Sequence, residues 1–204
     1  MIRAAALVSG DGTLLQAVLD SMYFKEFSNF ELVAVISPQK TNYAMKRAIH
    51  AGVPAYVVDP ELFPTMTSHS MAVANKLKDM DIDLVILAGY DCTLGVIPYQ
   101  FRNHIIGTYP ALYPAFEEVE GDIQTAVLEK GCKVTGATSY FADSDGGVGP
   151  IILQQAVSVL PEDDAESLRR RVMEEAEWKL LSKSVKLYCI GKLRVLGNRV
   201  SIDE

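Results

Sequence analysis

The chain has 204 residues, of which 49% are hydrophobic and 22% charged, and its formal charge is −7 at pH 7. That composition is ample for a core and excludes extended disorder, and the acidic balance argues against a partner with a phosphate backbone such as nucleic acid. No apolar run approaches the ~20 residues of a membrane-spanning helix, so no membrane partner is expected.

Ile2 to Val8 is a short apolar run of strand character that ends in Ser9-Gly10-Asp11-Gly12, and it reads as a first strand and not as a signal peptide. Thr13 to Phe27 carries apolar residues at helical spacing, and Thr13 followed three residues later by Gln16 predicts a capping box at its start. Strands are then expected over Leu32 to Ser37, Ala55 to Val58 and Leu84 to Ala88, with helices over Tyr43 to Ala51 and Met66 to Met80 between them. Apolar strands separated by helices predict an α/β protein with a doubly wound, mainly parallel open sheet covered on both faces. Further on, strands are expected over His104 to Thr108, Lys133 to Phe141 and Ile151 to Leu160, a helix over Asp122 to Glu129, and a long helix over Asp164 to Lys183. A hairpin around Gly197-Asn198 closes Leu193 to Ile202. With no repeat or linker in view, residues 1–204 are read as a single domain.

The three cysteines, Cys92, Cys132 and Cys189, are odd in number and widely spaced, which fits a reduced, cytoplasmic protein and supplies neither a disulfide framework nor a metal set. His50, His69 and His104 show no metal spacing and read as surface or packing residues, and Arg169-Arg170-Arg171 reads as a source of exposed ion pairs.

Four segments are candidate sites. Gly10, Asp11, Gly12 and Thr13 join the first strand to the first helix, where backbone N–H groups can hold a phosphate; Asp11 would repel a dianion and could bind the same N–H groups itself, so a phosphate site and a plain turn weigh equally. Val85 to Tyr90 is a buried strand running out into Gly89, the place where open sheets bind ligands. Gly107 to Pro114, with two prolines, reads from its residues alone as rigid scaffold. The loop from Asp143 to Gly149 reads first as a turn, although one of its carboxylates could act as an acid or base.

Six segments in order carry a resemblance: LVSGDGTLLQAVLD at 7–20, VISPQKTNYAMKRAIHAGVP at 35–54, DLVILAGY at 83–90, IIGTYPALYPAF at 105–116, KVTGATSYF at 133–141 and GPIILQQAV at 149–157. Together they resemble the folate-dependent formyltransferases, nearest the branch that acts in purine synthesis. The resemblance implies transfer of a formyl group from 10-formyltetrahydrofolate or a related folate to a small-molecule amine, without a metal. It implies a folate site at Leu87, Ala88, Gly89 and Tyr90 with Ala142, Asp143 and Ser144, and a substrate phosphate at Gly10 to Thr13. The family's catalytic asparagine, histidine and aspartate fall on Gly107, Tyr109 and Gly147, and its usual arginine after Leu-Ala-Gly falls on Cys92. Losing one oxyanion donor costs on the order of 10²–10³ in rate, so the leading expectation is a divergent homologue that lacks ordinary formyl transfer and keeps a small-molecule pocket. One alternative is an active transferase rebuilt around Asp145 and Tyr109, and another is a regulatory protein without catalysis. The oligomeric state is left open.

Overall fold

The computed structural model describes residues 1–203. The chain runs β1 (Ile2–Val8), α1 (Thr13–Tyr23), β2 (Phe30–Ser37), α2 (Tyr43–His50), β3 (Ala55–Val57), a 3₁₀ turn (Pro60–Leu62), α3 (Met66–Asp79), β4 (Leu84–Ala88), a short α4 (Ile97–Gln100) and β5 (Ile105–Tyr109). Then follow α5 (Ile123–Glu129), β6 (Val134–Ala142), β7 (Val148–Ser158), α6 (Ala165–Val172), a π turn (Met173–Glu177), α7 (Trp178–Cys189), β8 (Leu193–Leu196) and β9 (Arg199–Ile202). All nine strands form one sheet in the order β3-β2-β1-β4-β5-β6-β7-β9-β8.

From β3 to β5 the pairs are parallel, and from β5 to β7 they are antiparallel, so the doubly wound sheet expected from the sequence is a mixed one. The chain leaves β1 on one side for β2 and β3 and returns on the other side for β4. The crevice beyond the carboxyl ends of β1 and β4 is therefore a topological switch point. Strand β1 shows why the sheet must be covered twice: Ala4, Ala6 and Val8 enter one core with α1, α2 and α7, while Ala5 and Leu7 enter another with α3 and α4. A third core lies between β6–β7 and the α5–α6 pair, around Val157, Leu168 and Val172. Burying each large aliphatic side chain in these layers contributes about 1.5–3 kcal/mol relative to exposure.

Several local expectations are corrected. The capping box at Thr13 does not form: the cap is Gly12 at φ 72, Thr13 Oγ1 turns to Asp11, and Gln16 pairs with Asp20 and Arg47. The reciprocal cap appears instead at α6, where Asp164 and Ser167 satisfy one another's backbone N–H groups. The long terminal helix is interrupted by the π turn and continues to Cys189, beyond the expected end at Lys183. Strand β7 begins at Val148, which shortens the glycine-rich loop. The short α4 has too few residues to show a period.

His69 is fully buried, with Nε2 2.8 Å from the Val58 carbonyl. His104 is exposed and packs edge-on against Tyr188, their centroids 5.9 Å apart. Of the arginine run, Arg169 pairs with Asp122 and Arg171 with Asp163, whose side chain is 1% exposed.

Candidate functional site

The carboxyl ends of β1 and β4 are laced together. Ser9 N–H donates to the Gly89 carbonyl at 2.8 Å, Ser9 Oγ donates to an Asp91 carboxylate oxygen, and Asp91 N–H returns a bond to Ser9 Oγ. Gly89 sits at φ 79, a conformation that favours glycine, and the nearest atom to a Cβ built there is Ser9 O at 4.0 Å, so backbone is left open to the crevice. Beside it, burial raises the Tyr90 phenol pKa, and burial and then Asp91 raise that of the Cys92 thiol. Where the family pattern has an arginine, this chain therefore presents an uncharged thiol next to a carboxylate.

In the turn from Gly10 to Thr13, Asp11 folds its carboxylate onto the start of α1. Its Oδ1 accepts from Thr13 N–H at 3.1 Å and from Thr13 Oγ1 at 3.2 Å, so a carboxylate covers the first N–H of α1. Arg47 braces the same turn, donating to the Asp11 carbonyl at 2.9 Å and to Gln16 Oε1 at 2.8 Å. The positive end of the helix and the nearest guanidinium are thus both engaged by the protein itself.

On the face shared by β4, β5 and β6 lie Leu87, Gly107, Tyr109, Tyr140 and Ala142. The β5–β6 register sets Gly107 opposite Tyr140 and Tyr109 opposite Thr138. A Cβ on Gly107 would stand 3.0 Å from both Cζ and Oη of Tyr140 and 3.2 Å from Leu87 Cδ1, so the phenol tip fills the space that a side chain at 107 would occupy. Tyr109 is half-buried and donates its hydroxyl to the Ala115 carbonyl at 3.3 Å; burial, and then Glu117, raise its pKa. Tyr113 packs edge-on against Tyr109 and bonds Glu117. On the opposite face Thr108 donates to Glu177 at 3.0 Å, and burial raises the pKa of that carboxyl.

In the β6–β7 loop, Asp143 Oδ1 accepts from the N–H groups of Asp145, at 2.9 Å, and Gly147, at 2.8 Å. Its Oδ2 lies 3.4 Å from the place of a Cβ on Gly147, so a carboxylate from Asp143 stands beside the position of the family's aspartate. Asp145, the carboxylate favoured from sequence, is exposed, and the loop's bonds run to its backbone. Ala142, Asp143 and Ser144 line a cavity of about 600 Å³ together with Pro98, Arg102 and Asn198. Asp91 and Cys92, just beyond the expected folate segment Leu87 to Tyr90, line a second cavity of about 520 Å³ with Lys40 and Asp59. Tyr140 was missed by sequence reasoning; the signal available was a tyrosine in strand alternation opposite a glycine, visible only once the pairing of β5 with β6 is known.

Among the described residues no group of three or more metal-ligating side chains comes together, and no helix is long and apolar enough to cross a membrane. The sheet order, the crevice at the switch point and the β5–β6 face define a formyltransferase fold, and the chain belongs to the formyl transferase family, whose pattern matches residues 2–185. Its relatives are phosphoribosylglycinamide formyltransferases. Glycinamide ribonucleotide transformylase 1 from Symbiobacterium toebii superposes with a TM-score of 0.93 at 40% identity, covering 100% of this chain and 95% of that one. Phosphoribosylglycinamide formyltransferase from Mycobacterium tuberculosis is 31% identical over 207 residues, 98% of this chain and 94% of its own. The trifunctional purine biosynthetic protein adenosine-3 of Gallus gallus is 32% identical over 195 residues, which cover 95% of this chain but only 19% of that far longer protein.

Proposed function

We propose that this chain is a phosphoribosylglycinamide-type formyltransferase, active as a single cytoplasmic domain of residues 1–204, that moves a formyl group from a 10-formyltetrahydrofolate-type donor to a small-molecule amine with a rebuilt set of side chains. Similarity along nearly the whole chain to transformylases favours activity over the silent homologue expected from the three substituted positions. The observation that carries the reading is the carboxylate of Asp143, which stands beside Gly147 just beyond the end of β6, the strand whose Tyr140 is opposite Gly107.

The open backbone at Gly89 fits a flat heterocycle held by main-chain groups. The donor, when bound, supplies the formyl carbon. The chain's own residues then orient the amine over β5, exclude water with the apolar surface of Leu87 and Ala142, and offer Asp143 Oδ2 to the proton that the amine loses. Orientation alone provides a large share of catalysis in such a transfer. Without the asparagine and histidine, each missing donor lowers the rate by on the order of 10²–10³, and the losses do not simply add.

The test is turnover of glycinamide ribonucleotide with 10-formyltetrahydrofolate, followed by the absorbance of the released folate. Slow, saturable transfer that falls further in Asp143→Asn supports the reading; absence of transfer at saturating donor and acceptor refutes it. A second reading, binding without turnover, is favoured by Asp11 lying over the first N–H of α1. It predicts that folates raise the melting temperature while no product forms.

A further inference from the structure

We propose that the Tyr140 hydroxyl is the hydrogen-bond donor to the carbonyl oxygen of a formyl group bound over Gly107, so that the donor missing from β5 is supplied across the ladder by β6. The inference rests on the transferase reading above and adds the atom that would meet the developing oxyanion. Gly107 and Tyr140 are direct partners in the antiparallel ladder, and the phenol tip lies 3.0 Å from where a side chain at 107 would begin. The absence of a Cβ at 107 is what lets the ring lie there; the two residues are a matched pair of small and large.

Three tyrosines stand at this face, and two have their hydroxyls engaged: Tyr109 with the Ala115 carbonyl and Tyr113 with Glu117. Tyr140 is only 9% exposed, yet its hydroxyl has no hydrogen-bond partner among the described residues. Nor does it belong to the buried, unpartnered polar atoms sealed from solvent, which are His69 Nδ1, Gln124 Oε1, Thr135 Oγ1 and Trp178 Nε1. A ring held in the core beside Gly107, with an O–H that no described residue engages, is a preorganised donor to a carbonyl placed there, because no protein hydrogen bond has to break. Burial, with Asp143 and then Glu177 contributing, pushes the phenol's pKa up to about 12, so it keeps its proton at neutral pH.

In the transfer, the amine nitrogen uses its lone pair to form a bond to the formyl carbon, and the carbonyl π pair moves onto oxygen. That oxygen accepts the Tyr140 O–H, which is strengthened as charge develops and is never ionised. When the pair returns, the bond from the formyl carbon to the donor nitrogen breaks, and the proton shed by the amine passes by way of Asp143 to that nitrogen.

The experiment compares the full chain with Tyr140→Phe, which keeps the ring over Gly107 and removes only the hydroxyl. Two readouts are taken: kcat with glycinamide ribonucleotide, and the dissociation constants of 10-formyl-5,8-dideazafolate and of 5,8-dideazafolate, a pair that differs by the formyl group. In the parent chain the formyl compound binds tighter by about 2- to 10-fold, the worth of one neutral hydrogen bond. In Tyr140→Phe that preference disappears, binding of the formyl-free compound and the melting temperature are unchanged, and kcat falls by on the order of 10²–10³. If the parent chain shows no turnover, the transferase reading fails while the binding pair still decides the role of Tyr140: preference lost in the variant supports it, preference retained overturns it. A fall in kcat with the formyl preference intact marks a structural role and overturns the proposal, as does a parent chain that does not distinguish the two folates.

Discussion

Replacing Gly12 with alanine probes the junction of β1, α1 and α2, on which the candidate anion turn depends. The backbone there has φ +72, and a Cβ would fall 2.6 Å from both Cα and Cβ of Ala44, closer than real side chains approach. Gly10, two residues earlier, has φ +65, with nothing within 4 Å of the same construction. Gly10→Ala therefore incurs only the conformational cost of an L-residue in the left-handed region, about 1–2 kcal/mol. Gly12→Ala incurs that cost and also displaces the first turn of α2, which adds about 1–3 kcal/mol as overpacking does elsewhere. Urea unfolding followed by far-ultraviolet circular dichroism measures both. The expected excess for Gly12→Ala corresponds to roughly 2–12 °C in Tm for a chain of this size. Equal losses in the two variants would refute the packing of α1 on α2 through this glycine. A smaller loss at Gly12 would mean that the turn has no fixed left-handed geometry.

Asp11→Asn keeps an oxygen for Thr13 N–H and removes the charge, so binding of inorganic phosphate or of glycinamide ribonucleotide tightens several-fold, by about 0.3–1 kcal/mol, in isothermal titration at low salt; unchanged affinity would show that no anion approaches this turn. The Arg171 guanidinium hydrogen-bonded to Asp163 holds that carboxyl down at about 2, against an ordinary value of 3.8. A depressed carboxyl stabilises the fold above its unfolded pKa, and the contribution is lost as pH falls from about 4 to about 2. Asp163→Asn lowers stability by about 2 kcal/mol at most at neutral pH, and the gap to the parent chain closes in that acid window. Glu177 behaves oppositely, because burial raises its pKa. The folded state then binds the proton more tightly than the unfolded chain, so stability falls as pH rises above the usual glutamate range. Glu177→Gln, which retains a partner for Thr108, gains in Tm over the parent as pH is raised, and a constant difference across pH would exclude a buried ionising group there.

The parallel half of the sheet was legible because its signals are local. The continuous apolar run of β1, the fully apolar β4 and the glycine turn after each of them fix strands and helices within windows of a few residues. The six motifs then gave family and order. The site was less legible for a physical reason. Gly107 and Tyr109 announce themselves as departures within a motif, but Tyr140 comes to the site through a register 33 positions away in sequence, which no local period encodes. In the β6–β7 loop, distance from the family's aspartate position along the chain favours Asp145 over Asp143. Their difference arises from two backbone N–H groups that turn toward Asp143, leaving Asp145 exposed. At Asp11 the two readings, anion turn and self-capped turn, use the same residues, and only the direction of one carboxylate separates them.

The π turn at Met173–Glu177 acts as a phase shifter in the terminal helix. Leu168, Val172, Ala176 and Leu180 face the layer over β6 and β7, and after the turn Leu181, Val185 and Cys189 face the layer shared with α1. One additional residue in a helical turn advances the following side chains by about 100°. The same wide turn aims Met173 at Thr13 and Glu177 at Thr108, so one short piece of chain ties the start of α1 to the back of β5.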